Sequence, residues 1–229
     1  MTLFNKTISI IGGTGHVGLP LGIALADKNF KIQLIDINKD NINKVNKGIM
    51  PFLEDGAEKI LKKNIRKKNI FASNDHKLIK KGKYIIICIG TPVNKKLVPE
   101  IKNFLNFFKF LNKIISKNHI IIVRSSVFPG VSDKINNILN NKNISYCPER
   151  IVQGKSLKEL PKLPQIISGY TDLSISHSKK IFKKISKKLI TTNILDAELI
   201  KLFSNAYRYI DFSITNQFYI ICERLGVNY

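Results

Sequence analysis

Three glycines near the start of the chain have a spacing that can bring backbone amides against a phosphate. Gly13, Gly15 and Gly18 follow the apolar run 8–11 and precede residues with helical spacing. In a strand–turn–helix unit such glycines permit the tight turn, the approach of a pyrophosphate and close helix packing, while the helix N-terminus favours phosphate charge. Asp36 follows 18 residues after the last glycine, at the end of the next apolar run, where a carboxylate can bind a ribose. The pattern predicts a dinucleotide site, which we favour over glycines that merely permit a turn. NAD is favoured over NADP because no arginine directly follows Asp36 to hold a 2′-phosphate.

Three further motifs place polar side chains directly after apolar runs. They are IGTPV, which contains Thr91, RSSVFPG, which contains Ser125 and Ser126, and CPERIVQGK, which contains Glu149. In open α/β sheets the ligand crevice lies beyond the carboxyl ends of the strands. From spacing alone the three hydroxyls are equally well explained as turn or cap residues. Glu149 could be a solvated carboxylate paired with a lysine, or a group that orients water or shuttles a proton.

The elements that must position these residues alternate between apolar runs and segments of helical spacing. Strands are predicted at 8–11, 32–35, 84–90, 119–127 and 144–146, and helices at 104–115 and 131–139. Runs that are apolar on both faces and separated by helices indicate a parallel sheet covered by helices. We therefore predict an α/β fold built on a Rossmann-type, doubly wound parallel sheet.

The remaining part of the chain is predicted to end in a long helix. Two prolines break any helix before it, and the pattern then predicts a strand at 165–168, a lysine-rich helix near 174–188 and a strand at 189–192. The long helix covers 196–224, with Asp196 as its N-cap. The predicted organisation is a cofactor-binding domain at 1–195 and the start of a helical region at 196–229.

The charge of the chain is strongly positive, and it is carried by lysine. The formal net charge is +22, and 33 of the 38 basic residues are lysine. Such a charge attracts phosphates, but a dedicated nucleic-acid face concentrates charge and adds arginine and aromatic residues. These lysines are spread over nearly every predicted helix. We favour a solvated lysine surface without a specific nucleic-acid partner, with weak, salt-sensitive attraction to anions as the alternative.

Cysteine and histidine usage predicts neither disulfides nor a metal. Cys88, Cys147 and Cys222 are too few and too scattered for a disulfide framework or a zinc site, and the four histidines are equally dispersed. No run of about 18 uncharged apolar residues predicts a membrane span. The first residues lack a basic-then-apolar leader. We expect no metal, no membrane partner and a cytoplasmic location.

Six segments together resemble the UDP-glucose/GDP-mannose dehydrogenase family. They are GGTGHVGLPLGIALA, NKGIMPFLEDGAEKIL, IGTPV, RSSVFPG, CPERIVQGKSLKELPKLPQIISG and AELIKLFSNAYRYIDFSITNQF. The resemblance runs in order from about residue 7 to the end of the chain. The CPERIVQGK form is most similar to the UDP-N-acetyl-D-mannosamine dehydrogenase branch.

The resemblance implies an NAD-dependent oxidation of a nucleotide sugar. A primary alcohol becomes a carboxylate while two NAD molecules are reduced, and an aldehyde intermediate is captured by a cysteine, oxidised to a thioester and hydrolysed. It implies a UDP-sugar as substrate and a homodimer formed through the helix at 196–229.

The same resemblance assigns roles to individual residues. Glu149 corresponds to the glutamate that assists thioester hydrolysis, Thr91 to the threonine that helps position water, and Lys201 with Asn205 to the pair that stabilises a negative oxygen. Since Lys201 and Asn205 stand four apart, one helix face presents both, although exposed helix residues are a common alternative. The cofactor set is Gly13, Gly15, His16, Val17, Gly18, Asp36, Gly90, Thr91, Ser125 and Ser126. The substrate set is Glu149, Arg150, Ile151, Val152, Lys201 and Asn205.

Two departures from the family pattern qualify this expectation. Gln153 stands where some members have a second glutamate, so a second carboxylate base is not expected. None of the three cysteines matches the family's nucleophile, which lies in a glycine-rich segment downstream of the long helix. We therefore expect an amino-terminal half that binds NAD without oxidising the sugar by itself.

Other classes of protein remain as alternatives. One is a non-catalytic NAD-binding or interaction module that pairs with a longer subunit, and another is a basic nucleic-acid binder. A dehydrogenase of the β-hydroxyacid or 6-phosphogluconate type would share the opening strand–helix–strand unit but would not account for CPERIVQGK.

Overall fold

The computed structural model describes residues 6–96 and 98–229, and its described residues form one eight-stranded sheet. The strands are β1 (Thr7–Ile11), β2 (Lys31–Ile35), β3 (Ile70–Ser73), β4 (Tyr84–Ile87), β5 (Ile120–Val123), β6 (Ile144–Tyr146), β7 (Gln165–Gly169) and β8 (Leu189–Thr191). Their spatial order is β3-β2-β1-β4-β5-β6-β7-β8. The order along the chain reverses between β1 and β4, and in such sheets the ligand crevice opens beyond the carboxyl ends of these two strands.

Helices cover both faces of the sheet. They are α1 (Gly18–Ala26), α2 (Lys39–Asn46), α3 (Ala57–Arg66), α4 (Ile101–Asn112), α5 (Val131–Ile138), α6 (Ser156–Glu159), α7 (Asp172–Phe182) and α8 (Ile194–Leu225), with a 3-10 turn at His76–Lys81. Successive strand residues point to opposite faces. Ile10 therefore packs in the core on the α1 side, while Ile85 and Ile87 pack with Phe104 and Phe108 of α4. The predicted α/β fold is confirmed.

The sheet is not wholly parallel, which corrects one expectation. β7 runs antiparallel to β6, with Ser145 opposite Gly169 and Tyr146 opposite Ser168. A parallel connection needs a long crossover, usually a helix. The segment between β6 and β7 holds only the four-residue helix α6 and three prolines, Pro148, Pro161 and Pro164, so it cannot supply one. The remaining neighbouring strands pair in parallel.

The start of the long helix α8 also differs from the prediction. Its N-cap is Asn193, whose side chain accepts a hydrogen bond of 2.8 Å from the amide of Asp196. Asp196 lies in the first turn and accepts from the side chains of Thr192 and Asn193. Asparagine and aspartate cap equally well, so the local pattern could not choose between them. The predicted domain boundary at 195/196 falls within the first turn of α8, and the predicted 1–195 domain includes six residues outside the described ranges, 1–5 and 97.

Only the beginning of α8 is buried. Ala197, Glu198 and Lys201 are its buried residues. Farther along, large apolar side chains are exposed, among them Phe203, Tyr207, Phe212, Phe218, Tyr219 and Ile221. No helix in the described ranges combines the length and the apolar character needed to cross a membrane.

One histidine inside the fold has a perturbed pKa. The hydroxyl of Tyr84 on β4 lies 2.9 Å from Nδ1 of His177 on α7. Burial, followed by the positive charges of Lys83 and Lys180, lowers the pKa of His177 from its ordinary value. The neutral imidazole is therefore the form that the folded chain favours.

Candidate functional site: a dinucleotide crevice closed by a buried ion pair

The glycine turn after β1 is shaped to leave room for a ligand at one point. A Cβ on Gly18 would lie 2.4 Å from the carbonyl oxygen of Gly12, and one on Gly13 would lie 2.7 Å from the carbonyl oxygen of Ile10. These two glycines therefore permit close packing. A Cβ on Gly15 would meet only the Gly12 carbonyl oxygen, at 3.5 Å, so its surroundings are open. Space at the middle glycine is what a pyrophosphate needs.

The amino terminus of α1 is available for an anion. Its N-cap residue, Val17, makes no side-chain cap, and no acidic residue lies in its first turn. The first amides of a helix and its macrodipole both favour negative charge. His16, in the turn itself, is exposed, and its ring lies 4.0 Å from that of Phe52.

Asp36 stands at the carboxyl end of β2, at one end of a cavity. Its Oδ2 accepts a 2.9 Å hydrogen bond from the amide of Thr14 in the glycine turn, and its Oδ1 accepts from the amides of Ile37 and Asn38. The cavity has a volume of about 330 Å³, and its other walls include Gly12, Gly15, Ile35, His76, Cys88 and Phe107. A mainly apolar cavity with one carboxylate fits an adenine with its ribose.

A second cavity continues the crevice toward β5 and β6. It holds about 190 Å³ and shares Cys88, Ile89 and Gly90 with the first. The residues that line only the second one are Val17, Thr91, Arg124, Ser125, Ser126 and Glu149. The hydroxyl of Thr91 donates a 2.5 Å hydrogen bond to the carbonyl of Ser126. The structure thus brings the motifs IGTPV, RSSVFPG and CPERIVQGK to one crevice.

At the end of this crevice Glu149 forms a buried ion pair with α8. Nζ of Lys201 lies 2.7 Å from Oε1 of Glu149, and their side chains are 5% and 11% exposed. Oε2 of Glu149 accepts a 3.0 Å hydrogen bond from the amide of Ile151. Glu149 is therefore neither solvated nor paired with a surface lysine, which were the ordinary alternatives for a loop carboxylate.

Two of the other predicted substrate residues lie along a groove between the loop after β6 and α8. Arg150 and Val152 line this groove of about 550 Å³ together with Phe203, Ser204, Tyr207, Arg208, Asp211 and Phe212. The carbonyl of Arg150 accepts a 3.2 Å hydrogen bond from Arg208. Ile151 is buried and does not line the groove, and Asn205 is exposed one turn after Lys201. The pair Lys201 and Asn205 therefore does not share one environment in this chain.

Glu54 holds the loop after β6, and sequence reasoning missed it. Its buried carboxylate accepts hydrogen bonds from the amide of Gly154 (3.1 Å), the hydroxyl of Ser156 (2.9 Å) and the amide of Leu157 (3.4 Å). Asp55 adds a backbone bond to Gly154. Glu54 lies in NKGIMPFLEDGAEKIL, one of the six segments that carry the family resemblance, and that membership was the only available signal.

Glu198 holds the loop after β5 and was missed as well. Its carboxylate accepts from the amides of Gly130 (2.8 Å) and Ser132 (2.9 Å) at the start of α5. The side chain thus satisfies helix donors that have no partner within the helix. It lies three residues before Lys201, so one face of α8 contacts the loops after both β5 and β6.

The cysteines are poorly placed for nucleophilic chemistry. Cys88 follows β4 directly instead of lying within the strand, and burial raises its pKa to about 12. Burial also raises the pKa of Cys147 to about 11. Cys222 lies near the end of α8. A thiolate is the reactive form, and burial suppresses it at the first two positions.

The fold and this site define a dinucleotide-binding domain of the Rossmann type. The open space at Gly15, the uncapped start of α1 and the Asp36 cavity fit an adenine dinucleotide.

Comparisons with known proteins identify the family of this dinucleotide-binding domain. Residues 6–188 match the model of the UDP-glucose/GDP-mannose dehydrogenase family, NAD binding domain. The chain belongs to this family, and its cofactor is NAD.

Individual relatives agree with the family match. The chain is 32% identical to a UDP-N-acetyl-D-mannosamine dehydrogenase of Methanococcus vannielii, over 97% of this chain and 53% of that protein. It is 26% identical to a UDP-glucose 6-dehydrogenase of Bacillus subtilis, over 96% of this chain and 52% of that protein. A solved UDP-D-ManNAc dehydrogenase from Pyrococcus horikoshii has the same fold, with a TM-score of 0.86 at 24% identity over 97% of this chain and 55% of that one. The chain spans about half the length of the curated relatives it matches.

Proposed function

We propose that this chain is the cofactor-binding half of an NAD-dependent nucleotide-sugar 6-dehydrogenase that acts on a UDP-sugar in the cytoplasm. The observation that supports this most directly is the buried pair of Glu149 and Lys201 at the end of the dinucleotide crevice. Burying two charges is costly unless they pair closely. The pair places a carboxylate and an ammonium at the wall of the crevice, where they suit proton transfer and stabilisation of a negative oxygen.

In the proposed reaction the chain orients the alcohol carbon toward the cofactor. NAD supplies the hydride acceptor. Each oxidation removes one hydride from carbon and one proton from oxygen, and two such steps convert an alcohol to the acid level. After the second oxidation Thr91 and Glu149 position the water that attacks the acyl carbon of the thioester, the carbon–sulfur bond breaks to release the thiol and the acid, and the ammonium of Lys201 stabilises the negative oxygen that develops. Asn205 adds a neutral donor once the substrate covers the exposed face of α8.

We propose the class of substrate from the groove beside the loop after β6 together with the name of a relative. In the proposal the groove between Arg150 and α8 receives the sugar, with Val152 along one wall. The relative from M. vannielii is named for UDP-N-acetyl-D-mannosamine, and we propose a substrate of that class, a UDP-linked amino sugar or hexose. In the route that the family resemblance implies, a cysteine thiol captures the aldehyde between the two oxidations. We propose that none of the three cysteines of this chain serves, since two of them are buried with raised pKa values.

Calorimetry with NAD tests the proposal on this chain alone. We expect binding of NAD and NADH, much weaker binding of NADPH, and an affinity for NAD that falls at least tenfold in Asp36→Ala, since a hydrogen bond to a charged group is worth about 1.5–3 kcal/mol. Asp40→Ala, at an exposed position on α2, is the matched control. Addition of UDP-N-acetyl-D-mannosamine and NAD should produce no sustained NADH absorbance. No heat from a folded chain, or steady turnover by this chain alone, would contradict the proposal.

A second proposal concerns assembly. We propose that the exposed apolar part of α8 pairs with the same part of a second copy, forming a homodimer. Phe212, Phe218 and Ile221 are 59%, 53% and 51% exposed, and apolar patches of this kind mark protein contacts. Sedimentation should show a concentration-dependent dimer that Phe218→Glu dissociates, while Phe71→Glu, at an exposed phenylalanine of β3, leaves it intact. A monomer at all concentrations would contradict this proposal.

A further inference from the structure

Arg124 is a buried cation beside the crevice that forms no ion pair with any residue of 6–96 or 98–229. It follows the last residue of β5, is 2% exposed and is among the largest fully buried side chains. None of the four ion pairs found in the described ranges includes it. Burying a charge without a counter-charge costs free energy, so the position of Arg124 suggests a functional role.

The contacts of the guanidinium only partly compensate its burial. Nη1 donates a 3.2 Å hydrogen bond to the neutral side chain of Gln165 on β7. The guanidinium carbon lies 4.9 Å from the ring centre of Phe182 on α7. Nε has no hydrogen-bond partner among the described residues. A neutral amide and an aromatic ring hold the group in place but leave its charge uncancelled.

The field of this charge reaches the wall of the dinucleotide crevice. Arg124 lines the second cavity together with Cys88, Thr91 and Glu149. After the larger effect of burial, which raises it, the pKa of Cys88 is lowered by Arg124 and raised by Glu149. Glu149 is already neutralised by Lys201 at 2.7 Å. The three charged groups therefore leave one net positive charge at this end of the crevice.

We propose that Arg124 sets the preference of the crevice between the two redox forms of the cofactor. The first cavity, with Asp36, fits the adenosine end, so the reacting end belongs in the second cavity. The nicotinamide ring is positively charged in NAD and neutral in NADH. Arg124 therefore disfavours the oxidised form relative to the reduced form, and so favours hydride transfer from substrate to cofactor. The inference rests on the proposed function for this placement of the reacting end.

The expected size of the effect follows from Coulomb's law. Two unit charges about 10 Å apart in a medium of effective dielectric constant ~20 shift an equilibrium by roughly tenfold. The quantity to measure is the ratio of the dissociation constants for NAD and NADH, obtained by calorimetry on the whole chain. Arg124→Met should lower this ratio about tenfold, whereas Arg124→Lys, which keeps the charge, should leave it near that of the parent chain. Arg66→Met removes an exposed charge on α3 and is the matched control.

A merely structural role for Arg124 would change both affinities by the same factor, and that result overturns the inference. If Arg124→Met does not fold, Glu149→Gln gives an opposite test. This variant leaves the positive charges of Arg124 and Lys201 beside the nicotinamide ring, so the ratio of the dissociation constants for NAD and NADH should rise about tenfold. An unchanged ratio overturns the inference. A folded parent chain that binds neither cofactor form would overturn the proposed function together with this inference. If the variants bind both NAD and NADH with an unchanged ratio of dissociation constants, the inference is wrong while the proposed function stands.

Discussion

The pair of Lys201 and Glu149 allows a quantitative test of the site. In Lys201→Met the apolar part of the side chain is kept and the charge is lost, so the carboxylate of Glu149 stays buried without its cation. Removing one partner of a buried pair typically costs about 3–5 kcal/mol. Because the amide of Ile151 still donates to Oε2 at 3.0 Å, we expect a cost at the low end, about 3 kcal/mol. In a chain of this size that lowers the melting temperature by about 6–12 °C.

The measurement is urea unfolding monitored by circular dichroism. The free energy of unfolding is extrapolated linearly to zero urea, with the same slope for all variants. Lys62→Met is a matched control. Lys62 forms an equally short pair with Glu58, at 2.6 Å, but both side chains are about half exposed, so its loss should cost no more than about 0.5 kcal/mol. The double variant Glu149→Gln with Lys201→Met should recover most of the loss, since no charge is then left unpaired. Equal costs for Lys201→Met and Lys62→Met would refute the reasoning.

Three further predictions address the cofactor turn, a loop contact and the response to pH. Calorimetry and unfolding should show that Gly15→Ala keeps its stability but loses NAD affinity more than tenfold, whereas Gly18→Ala loses about 1–3 kcal/mol of stability through overpacking. Urea unfolding of Glu198→Gln should show a loss of about 1–3 kcal/mol, because at least one buried amide is left without an acceptor. Since the pKa of His177 is lowered by folding, the unfolded chain binds more protons near pH 6, and stability should fall from pH 7 to pH 5. His177→Gln should make that fall smaller, and an unchanged pH dependence would exclude this histidine as its source.

The parts of the fold that were predictable are those set by local pattern. The glycine turn and Asp36 lie within one strand–helix–strand unit, and steric requirements at each glycine determine the residue type. The isoleucine runs at β1, β4 and β5 are buried on both faces, as a parallel strand requires. By contrast β3 alternates between buried and more exposed residues, with Phe71 exposed, and no apolar run identified it.

The contacts that close the site were not predictable, because they join residues far apart in sequence. Glu54 and Gly154 are separated by 100 positions, and Glu149 and Lys201 by 52. Whether a glutamate is buried, and by what, depends on the whole fold rather than on its neighbours in the chain. Arg124 illustrates the same limit, since its motif shows a basic residue after a strand but gives no sign that Gln165 and Phe182 enclose it.

Helix α8 connects the loop contacts to the exposed surface of the molecule. Glu198 fixes the loop after β5 and Lys201 the loop after β6, and both lie in the first two turns of a 32-residue helix. At a rise of 1.5 Å per residue the helix is about 48 Å long, and most of its length carries exposed side chains. A helix moves largely as a unit, so a partner bound to its far end would act on both loops at once. Through the contacts of Lys201 with Glu149 and of Glu198 with the amides of Gly130 and Ser132, the first two turns of α8 connect the loops after β5 and β6 to the exposed length of the helix.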